Sequence, residues 1–392
     1  MKKLSLICLV VTSFFATQVL AGNLTVNGNL TVTTNLTAES ISLGGVTQTS
    51  WPGALAQGYK HVIVPEGTND LQRGSNLQAA YTTATTLNPT SSNRVVVLVP
   101  PGNYNLGGTD LTMNTSYVDL IGLVPAQMTS KQVFTDSTGR TRTKTIANVQ
   151  CPVLIYASAS AGTLVQNVDY VRIESVILFN TGSGAAYGAS VSGTNTVLRH
   201  VSMSSMSAGE YAGQYVDCVG DFNAMASGTF IDCTGGDHSF GDGTATGTFI
   251  DCTGGDWSFG GRNWGDSEAS GTFVGCVGGM GGFGGNGRAD GRFVDCVAGD
   301  YSFGGGDGYD QDGNGAGGTF IDCVGGVNSF GGGDGGSLDD AAKLQHCKGG
   351  PDSFGGCGSS DDFNYNVGGT NTFLMCAKSA DEHQRPAQRH RV

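Results

Sequence analysis

The segment Gly228-Thr-Phe-Ile-Asp-Cys-Thr-Gly-Gly-Asp-His-Ser-Phe-Gly241 decides the fold, because its second half recurs five more times along the chain. Each copy reads Cys-x6-Phe-Gly, and the phenylalanine always follows its cysteine by seven positions. The pairs are Cys233/Phe240, Cys252/Phe259, Cys276/Phe283, Cys296/Phe303, Cys323/Phe330 and Cys347/Phe354. The next cysteine in the repeated position follows the phenylalanine after 12 to 22 residues. A constant segment alternating with a variable one is typical of stacked coils, in which one loop per coil is free to change length.

Strand alternation within this segment places Phe230 inside the coil and Ile231 outside, with Cys233 and Phe240 returning to the core. The inward position of Phe230 recurs as Tyr215, Phe249, Phe273, Phe293, Phe320, Leu344 and Phe373. The pattern predicts an all-β fold whose interior holds two aromatic columns and one cysteine column. The glycine after each second phenylalanine is expected to have a positive φ or a close backbone neighbour.

The outward position of Ile231 is also nearly always apolar. It recurs as Val216, Ile250, Val274, Val294, Ile321 and Leu374, with Gln345 as an interruption. An exposed apolar stripe usually has a covering partner. We expect either loops of the same chain or a second copy of the chain to cover it.

Cysteines mark the same position in successive coils. Eight share it: Cys218, Cys233, Cys252, Cys276, Cys296, Cys323, Cys347 and Cys376. Coils lie about 4.8 Å apart, but parallel side chains lack the crossed geometry of a disulfide. The expectation is a column of buried thiols acting as small apolar side chains.

The N-terminal region carries export and association signals. Residues 1–21 have two lysines, an apolar run too short to span a membrane and a Val-Leu-Ala end, which predicts a bacterial signal peptide and a secreted or cell-surface protein. Residues 22–50 repeat Asn-Leu-Thr every six residues. This pattern predicts a short β stem that caps the main body or joins copies of the chain in a homo-oligomer.

Residues 51–125 are expected to form a link and the start of the coil. Leu77, Ala80, Tyr81, Ala84 and Leu87 share one helical face, which predicts a helix over about 75–87. A strand is predicted at 94–99, and a rung follows at 117–122.

The order of features from 67 to 123 is distinctive: Gly-Thr-Asn-Asp, an amphipathic helix, a β run, Pro-Pro-Gly-Asn-Tyr and a Leu-Ile-Gly rung. It resembles the N-terminal cap of the pectate lyase superfamily. The resemblance implies a right-handed parallel β-helix over 126–376 with an N-terminal capping helix and a polysaccharide partner. It indicates the fold rather than one activity, because a single fold carries many functions. Residues 377–392 are polar and are expected to form a flexible tail.

Charge limits the possible partners. The net charge is −13, and residues 210–362 hold 23 acidic and five basic residues. A nucleic-acid interface there is excluded, because phosphate contacts need Lys and Arg. Residues 126–150 are polar and are expected to form an exposed, solvated insertion.

Chemically variable positions lie four and five residues after the cysteines. They include Asp237, His238, Asp256, Trp257, Asp300 and Tyr301. Aromatic rings beside carboxylates suit sugar binding, since the rings cover apolar sugar faces and the carboxylates accept hydroxyl hydrogen bonds. The alternative is ordinary variation at solvent-exposed turns.

A second candidate site is the segment that contains Asp307, Asp310, Asp312 and Asn314. Alternating oxygen ligands with glycines between them suit Ca²⁺. The bidentate glutamate of a complete calcium loop is missing. A flexible acidic loop is the alternative.

Catalytic residues are not evident. The Asn-Thr-Asp, Asp-Asp, Gly-His-Gly and Arg-Ile-Lys blocks of hydrolases with this fold are absent, as is the Arg-x-Pro-x-x-Arg block of the lyases. Arg172, Arg199 and His200 remain as candidates on neighbouring coils. The leading hypothesis is therefore a non-catalytic β-helix with a structural or glycan-binding role. The alternatives are a polysaccharide lyase or glycoside hydrolase, and a self-assembling filament or spike subunit.

Overall fold

The computed structural model describes residues 41–43, 46–48, 60–158, 162–182, 187–203, 212–223, 225–262, 267–305, 315–332, 337–339, 342–354 and 362–364. The chain divides into two compact units, Met1–Trp51 and Pro52–Val392. In the first unit, strand β1 (Ile41–Leu43) pairs antiparallel with β2 (Val46–Gln48). The predicted signal peptide, most of the stem and the tail lie outside the described residues.

The first half of the second unit contains the helix and twelve strands. They are β3 (Lys60–Ile63), α1 (Asp70–Thr85), β4 (Val95–Val99), β5 (Gly102–Asn105), β6 (Leu111–Met113), β7 (Val118–Gly122), β8 (Gln127–Thr135), β9 (Thr141–Gln150), β10 (Val153–Ala157), β11 (Gly162–Gln166), β12 (Arg172–Asn180), β13 (Tyr187–Val191) and β14 (Val197–Met203).

The second half consists of short strands. They are β15 (Gln214–Val216), β16 (Val219–Gly220), β17 (Thr229–Ile231), β18 (Thr244–Ala245), β19 (Thr248–Ile250), β20 (Glu268–Ala269), β21 (Thr272–Val274), β22 (Arg288–Ala289), β23 (Arg292–Val294), β24 (Gly315–Ala316), β25 (Thr319–Ile321), β26 (Ser337–Leu338), β27 (Lys343–Gln345) and β28 (Asp362–Asn364).

Helix α1 begins five residues earlier than predicted, because Asn69 caps it. The Asn69 side chain accepts a hydrogen bond from the Gln72 backbone N–H at 2.9 Å. Leu77 and Tyr81 lie on the buried face, as expected from the spacing. The helix packs against β3, β4 and β5. Its role as a cap of the coil end stays a prediction.

One parallel sheet runs through both halves in the order β3-β4-β7-β12-β14-β15-β17-β19-β21-β23-β25-β27-β28, and we call it the main sheet. Two further parallel sheets, β6-β11-β13 and β18-β20-β22-β24-β26, form other sides of the coil. Strands adjacent in the main sheet are thus separated in sequence by a full turn of the chain. The fold is a parallel β-helix, as the repeat predicted.

The last pairing differs from the repeat-based expectation. β28 places Phe363 opposite Leu344, where the repeat predicted Phe373. The connection from Phe354 to Phe363 is then as short as that from Phe240 to Phe249. The number of residues between a phenylalanine and the next strand varies from coil to coil. The spacing of the cysteines alone therefore does not determine where the intervening strand lies.

Two aromatic columns fill the coil, as predicted. Neighbouring rings in the column Phe230, Phe249, Phe273, Phe293 and Phe320 have centroids 4.8 to 5.0 Å apart and planes within 6°. The second column runs from Phe222 through Phe240 to Phe354 and meets the first edge to face. Near-parallel rings show that successive rungs superpose with little twist. The main sheet therefore presents a flat outer surface over these rungs.

The described cysteines are free, and the seven from Cys218 to Cys347 are buried in one column. Each Sγ lies near backbone carbonyl groups; that of Cys233 is 3.3 Å from the Ile231 oxygen. Burial raises the pKa of the Cys233, Cys276 and Cys323 thiols. The expected column of buried thiols is confirmed for these residues.

The glycine after the second phenylalanine has a positive φ in every described copy, from 64° at Gly331 to 91° at Gly241. A Cβ on Gly241 would lie 1.9 Å from the backbone oxygen of Thr244. Both physical reasons for glycine, a left-handed backbone and a close approach, apply at this turn.

The prediction of a solvated loop over residues 126–150 is wrong. β8 and β9 pair as an antiparallel hairpin, which we call the brace. It lies against the coil, where Lys131 pairs with Asp232 and Asp251, and Arg142 pairs with Asp295. Each of these aspartates directly precedes a buried cysteine, so the three lie in one column along the coil. The brace is held against the coil because its cations pair with that column of carboxylates.

Candidate functional site

The three turn aspartates proposed as ligand-binding residues hold adjacent rungs together. Asp237 Oδ1 accepts a hydrogen bond from the Asp256 N–H at 2.9 Å, and Asp256 Oδ1 accepts one from the Met280 N–H at 2.8 Å. Asp300 Oδ1 accepts from the Val327 N–H at 2.7 Å. Each carboxylate thus satisfies a backbone donor of the following turn. A glycan-binding role for these aspartates stays a prediction.

The aromatic turn residues do not form one continuous surface. Trp257 is 9% exposed, and a Cβ on Gly281 would lie 2.1 Å from its ring carbon Cε3. Its ring therefore covers the next rung instead of facing solvent, contrary to the expected exposed ring. Tyr301 is half-buried, and the rung of Gly281 lies between it and Trp257.

His238 belongs to a small surface cluster of charges. Its Nδ1 lies 3.8 Å from Asp242 Oδ1, and the Arg262 Nε donates to the same carboxylate oxygen at 3.1 Å. The proximity of Asp242 to both side chains links two neighbouring turns. A sugar-binding role for His238 stays a prediction.

The proposed calcium ligands Asp307, Asp310, Asp312 and Asn314 lie outside the described residues. Within the part of the chain that the structure describes, no group of three or more His, Cys, Asp or Glu residues could hold a metal ion. A calcium site stays a prediction.

Arg172 and Arg199 share the outer face of the main sheet. Arg172 lies opposite Val197, and Arg199 lies opposite Glu174, while the alternate residues Ile173 and Leu198 are buried. His200 follows at a bend with φ 52°, where its Nε2 lies 3.4 Å from Asp217 Oδ2. The structure therefore brings the two arginines together and directs His200 towards the acidic column.

The same outer face holds further unpaired cations. Among the described lysines and arginines, five side chains make no ion pair and no hydrogen bond, and one of them, Lys144 of the brace, lies over the Phe134 ring. The other four occupy outward positions of the main sheet. They are Arg172, Arg199, Arg292 and Lys343. By contrast, Lys131 and Arg142 in the brace and Arg288 in another sheet are ion-paired. We call these outward positions from β12 to β27 the cationic face.

Hydroxyl groups lie between these cations in register. Thr229, Thr248 and Thr272 occupy successive rungs, Arg292 follows, and Thr319 comes next. An apolar column through Ile231 and Ile250 runs beside them and is half-buried. Each of these threonines lies four residues before a cysteine, and this constant offset is a signal in the sequence that could have predicted the threonine column.

Few carboxylates face the same surface. Glu174 is the single one at the outward positions of β12 to β27 and is 7% exposed. Asp119, on the neighbouring strand β7, is 1% exposed and accepts hydrogen bonds from the Arg94 guanidinium. Within β12 to β27 the accessible charges on this face are therefore positive, although the whole chain is acidic and Asp362 on the flanking strand β28 lies opposite Lys343.

Comparison with known proteins gives neither a matching family model nor a matching curated protein. Three solved structures that match are a pectin methylesterase from Aspergillus niger, the pectate lyase Pel9A and the A-module of the Azotobacter vinelandii mannuronan C-5 epimerase AlgE6. Their identities to this chain are 13%, 16% and 13%, and their TM-scores are 0.33, 0.36 and 0.32. The matches cover 81%, 79% and 83% of this chain, and 91%, 79% and 98% of the others.

These three proteins have the pectin-lyase-like right-handed β-helix fold. The chain is a parallel β-helix. With TM-scores below 0.5, that assignment rests on the pairing of its own strands, and the activities of the three proteins do not transfer to it. No helix in the described part is long and apolar enough to cross a membrane.

Proposed function

We propose that this chain is a secreted or cell-surface β-helix that binds an acidic polysaccharide on its cationic face without cleaving it. The observation that carries the proposal is the gathering of Arg172, Arg199, Arg292 and Lys343, unpaired, on one flat face of a chain with net charge −13. Unpaired cations on an otherwise acidic protein favour an anionic partner through electrostatic complementarity.

The dimensions of the face suit an extended polymer. Arg172 and Lys343 lie eight rungs apart in one column. With about 4.8 Å between rungs, this column is about 38 Å long. Its threonine hydroxyls donate and accept hydrogen bonds, and the Ile and Val column beside them suits the apolar faces of sugar rings. Several sugars of one chain fit along this length.

The arrangement of carboxylates supports binding without hydrolysis. Glycoside cleavage normally needs two carboxyl groups that flank the scissile bond. The cationic face has Glu174 alone, and the nearby aspartates that precede the cysteines, such as Asp232 and Asp295, are paired with the brace. A lyase would use an arginine base beside bound calcium, so Arg172 and Arg199 keep that alternative testable.

Calorimetric titration with an oligouronide, and with the same oligosaccharide after reduction of its carboxyl groups, tests the proposal. We expect the oligouronide to bind with an affinity that falls as salt rises, and the neutral form to bind at least tenfold more weakly. Equal affinity for both forms, or absence of oligouronide binding, contradicts the proposal. Unsaturated products or new reducing ends, with or without Ca²⁺, would show that the chain is an enzyme.

The stem at residues 22–50 is proposed to join copies of the chain. Its support is the six-residue Asn-Leu-Thr repeat, which has too few residues to bury its own apolar face. Light scattering on the mature chain and on a variant without residues 22–50 tests this role. We expect an oligomer that the deletion converts to a monomer. If the number of chains per particle is the same with and without residues 22–50, the proposed role of the stem is contradicted.

A further inference from the structure

A pair of stacked tyrosines, of which Tyr170 is exposed and Tyr117 is half-buried, lies at the N-terminal end of the cationic face. The rings of Tyr117 and Tyr170 stack with centroids 5.2 Å apart and planes 10° apart. Tyr117 directly precedes β7, and Tyr170 lies two residues before β12. The Tyr117 N–H donates to the Tyr170 carbonyl, so the two residues occupy equivalent corners of adjacent coils. We call this pair the tyrosine corner.

The backbone at the tyrosine corner is in a conformation that bulky residues rarely adopt. Tyr117 has φ 65° and Tyr170 has φ 63°. Phenylalanines such as Phe240 share this conformation, but they are fully buried and stabilised by packing. Tyr170 is 46% exposed, so burial offsets little of its strain. An asparagine or glycine would adopt this backbone at lower cost, which indicates a use for the aromatic ring.

A buried carboxylate holds the tyrosine corner in place. Asp119 accepts a hydrogen bond from Arg94 Nε at 2.9 Å and one from the Arg172 backbone N–H at 2.8 Å. Arg94 Nη2 also donates to the Tyr170 carbonyl oxygen at 2.8 Å, and its guanidinium lies 5.6 Å from the Tyr117 ring centroid. These contacts hold the Tyr170 backbone and the Tyr117 ring, on which the Tyr170 ring stacks, so the corner loses less freedom on binding, which favours a ligand.

We propose that the tyrosine corner and Arg172 form a subsite for one uronate residue of the polysaccharide. The sugar ring packs on the exposed Tyr170 ring. The unpaired Arg172 guanidinium, two residues further along the chain, bonds the sugar carboxylate. Arginine suits this role because its planar fork matches a carboxylate. The subsite rests on the proposed binding of acidic polysaccharide and specifies where one end of the bound segment lies.

The matched variants are Tyr170→Asn and Met225→Asn, because both residues are 46% exposed and Met225 precedes Ala226, which pairs with Ala245 of β18 outside the main sheet. Asparagine tolerates the left-handed backbone at position 170 and the exposed site at position 225, so both variants are expected to fold with unchanged melting temperatures. In titrations with a hexameric oligouronide, we expect Tyr170→Asn to lower the affinity at least tenfold. Met225→Asn is expected to leave the affinity within twofold of the original protein.

A second variant, Arg172→Gln, keeps both rings and removes the carboxylate partner. It is expected to lower oligouronide affinity at least fivefold without changing the affinity for the carboxyl-reduced form. If Tyr170→Asn and Arg172→Gln bind normally while Arg292→Gln binds more weakly, the subsite is overturned and the proposed function stands. If the unmodified protein does not bind the oligouronide, both are overturned.

Discussion

Arg142 and Asp295 lie 153 positions apart in the sequence, yet the Arg142 Nη1 is 3.0 Å from the Asp295 carboxylate. Arg142 also bonds Asp136 within the brace at 2.8 Å and the Asp322 backbone oxygen at 2.7 Å. One side chain thus joins the brace to two rungs of the coil. The stability of the repeats is consequently coupled to a hairpin that precedes them in the chain.

Replacing Arg142 by glutamine is expected to lower the free energy of unfolding by about 3 kcal/mol, because it leaves the buried Asp136 carboxylate without its ionic partner. Urea unfolding monitored by circular dichroism measures this loss. The control is Arg140→Gln, since Arg140 pairs with Asp322 at a more exposed position. That variant should change the free energy by less than about 1 kcal/mol. Equal effects of the two variants would contradict the importance of Arg142 in the brace.

Stability is expected to fall in acid through Asp136. Burial opposes its ionisation, but hydrogen bonds from Thr138, Arg142 and the Arg140 backbone N–H outweigh burial and lower its pKa to about 2. A lowered native pKa stabilises the fold above the unfolded pKa, and this contribution disappears as pH falls from about 4 to about 2. The loss should be about 2 kcal/mol. Unfolding curves of Asp136→Asn should lack this part of the acid dependence; an unchanged pH profile would contradict it.

The buried thiols are expected to resist modification in the native protein. Cys218, Cys252 and Cys296 are fully buried, so a maleimide at neutral pH should label them only after unfolding. Mass spectrometry of peptides from native and urea-treated protein measures the labelling of each cysteine. Rapid native labelling of these cysteines would show that the core column is open to solvent.

The Gly241→Ala variant should be less stable by about 2 kcal/mol or more. The positive φ of Gly241 and the nearby Thr244 backbone oxygen both exclude a side chain at this position. Gly108 is the control, because a Cβ there meets nothing within 4 Å and its φ is not positive. Gly108→Ala should leave stability within about 1 kcal/mol. Thermal unfolding of both variants gives the comparison, and equal stabilities would contradict the turn geometry.

The repeated part of the structure was predictable because residues close together in the sequence determine it. The seven-residue spacing from Cys233 to Phe240 fixes a strand, a turn and two inward side chains, and the same spacing recurs on each rung. The left-handed backbone after Phe240 followed from the glycine at 241. Ring stacking then followed from register alone, without knowledge of the loops.

The brace was not predictable from the same evidence. Its partners lie far along the chain, and Lys131 shows no periodic relation to Asp232 or Asp251 in the sequence. Phe222 was missed because it lies four residues after Cys218 instead of seven. The cationic face required the strand register, which alone shows that Arg172 and Lys343 share a column.

The measurement that tests the central claim most directly is oligouronide binding by a variant with Arg172, Arg199, Arg292 and Lys343 all replaced by glutamine. The matched control replaces ion-paired cations outside the face, Arg140 and Arg288, with glutamine. Calorimetry should show at least a hundredfold loss of affinity for the first variant and less than a threefold change for the control. Undiminished binding by the four-cation variant, with its fold intact, would contradict the assignment of the cationic face as the polysaccharide site.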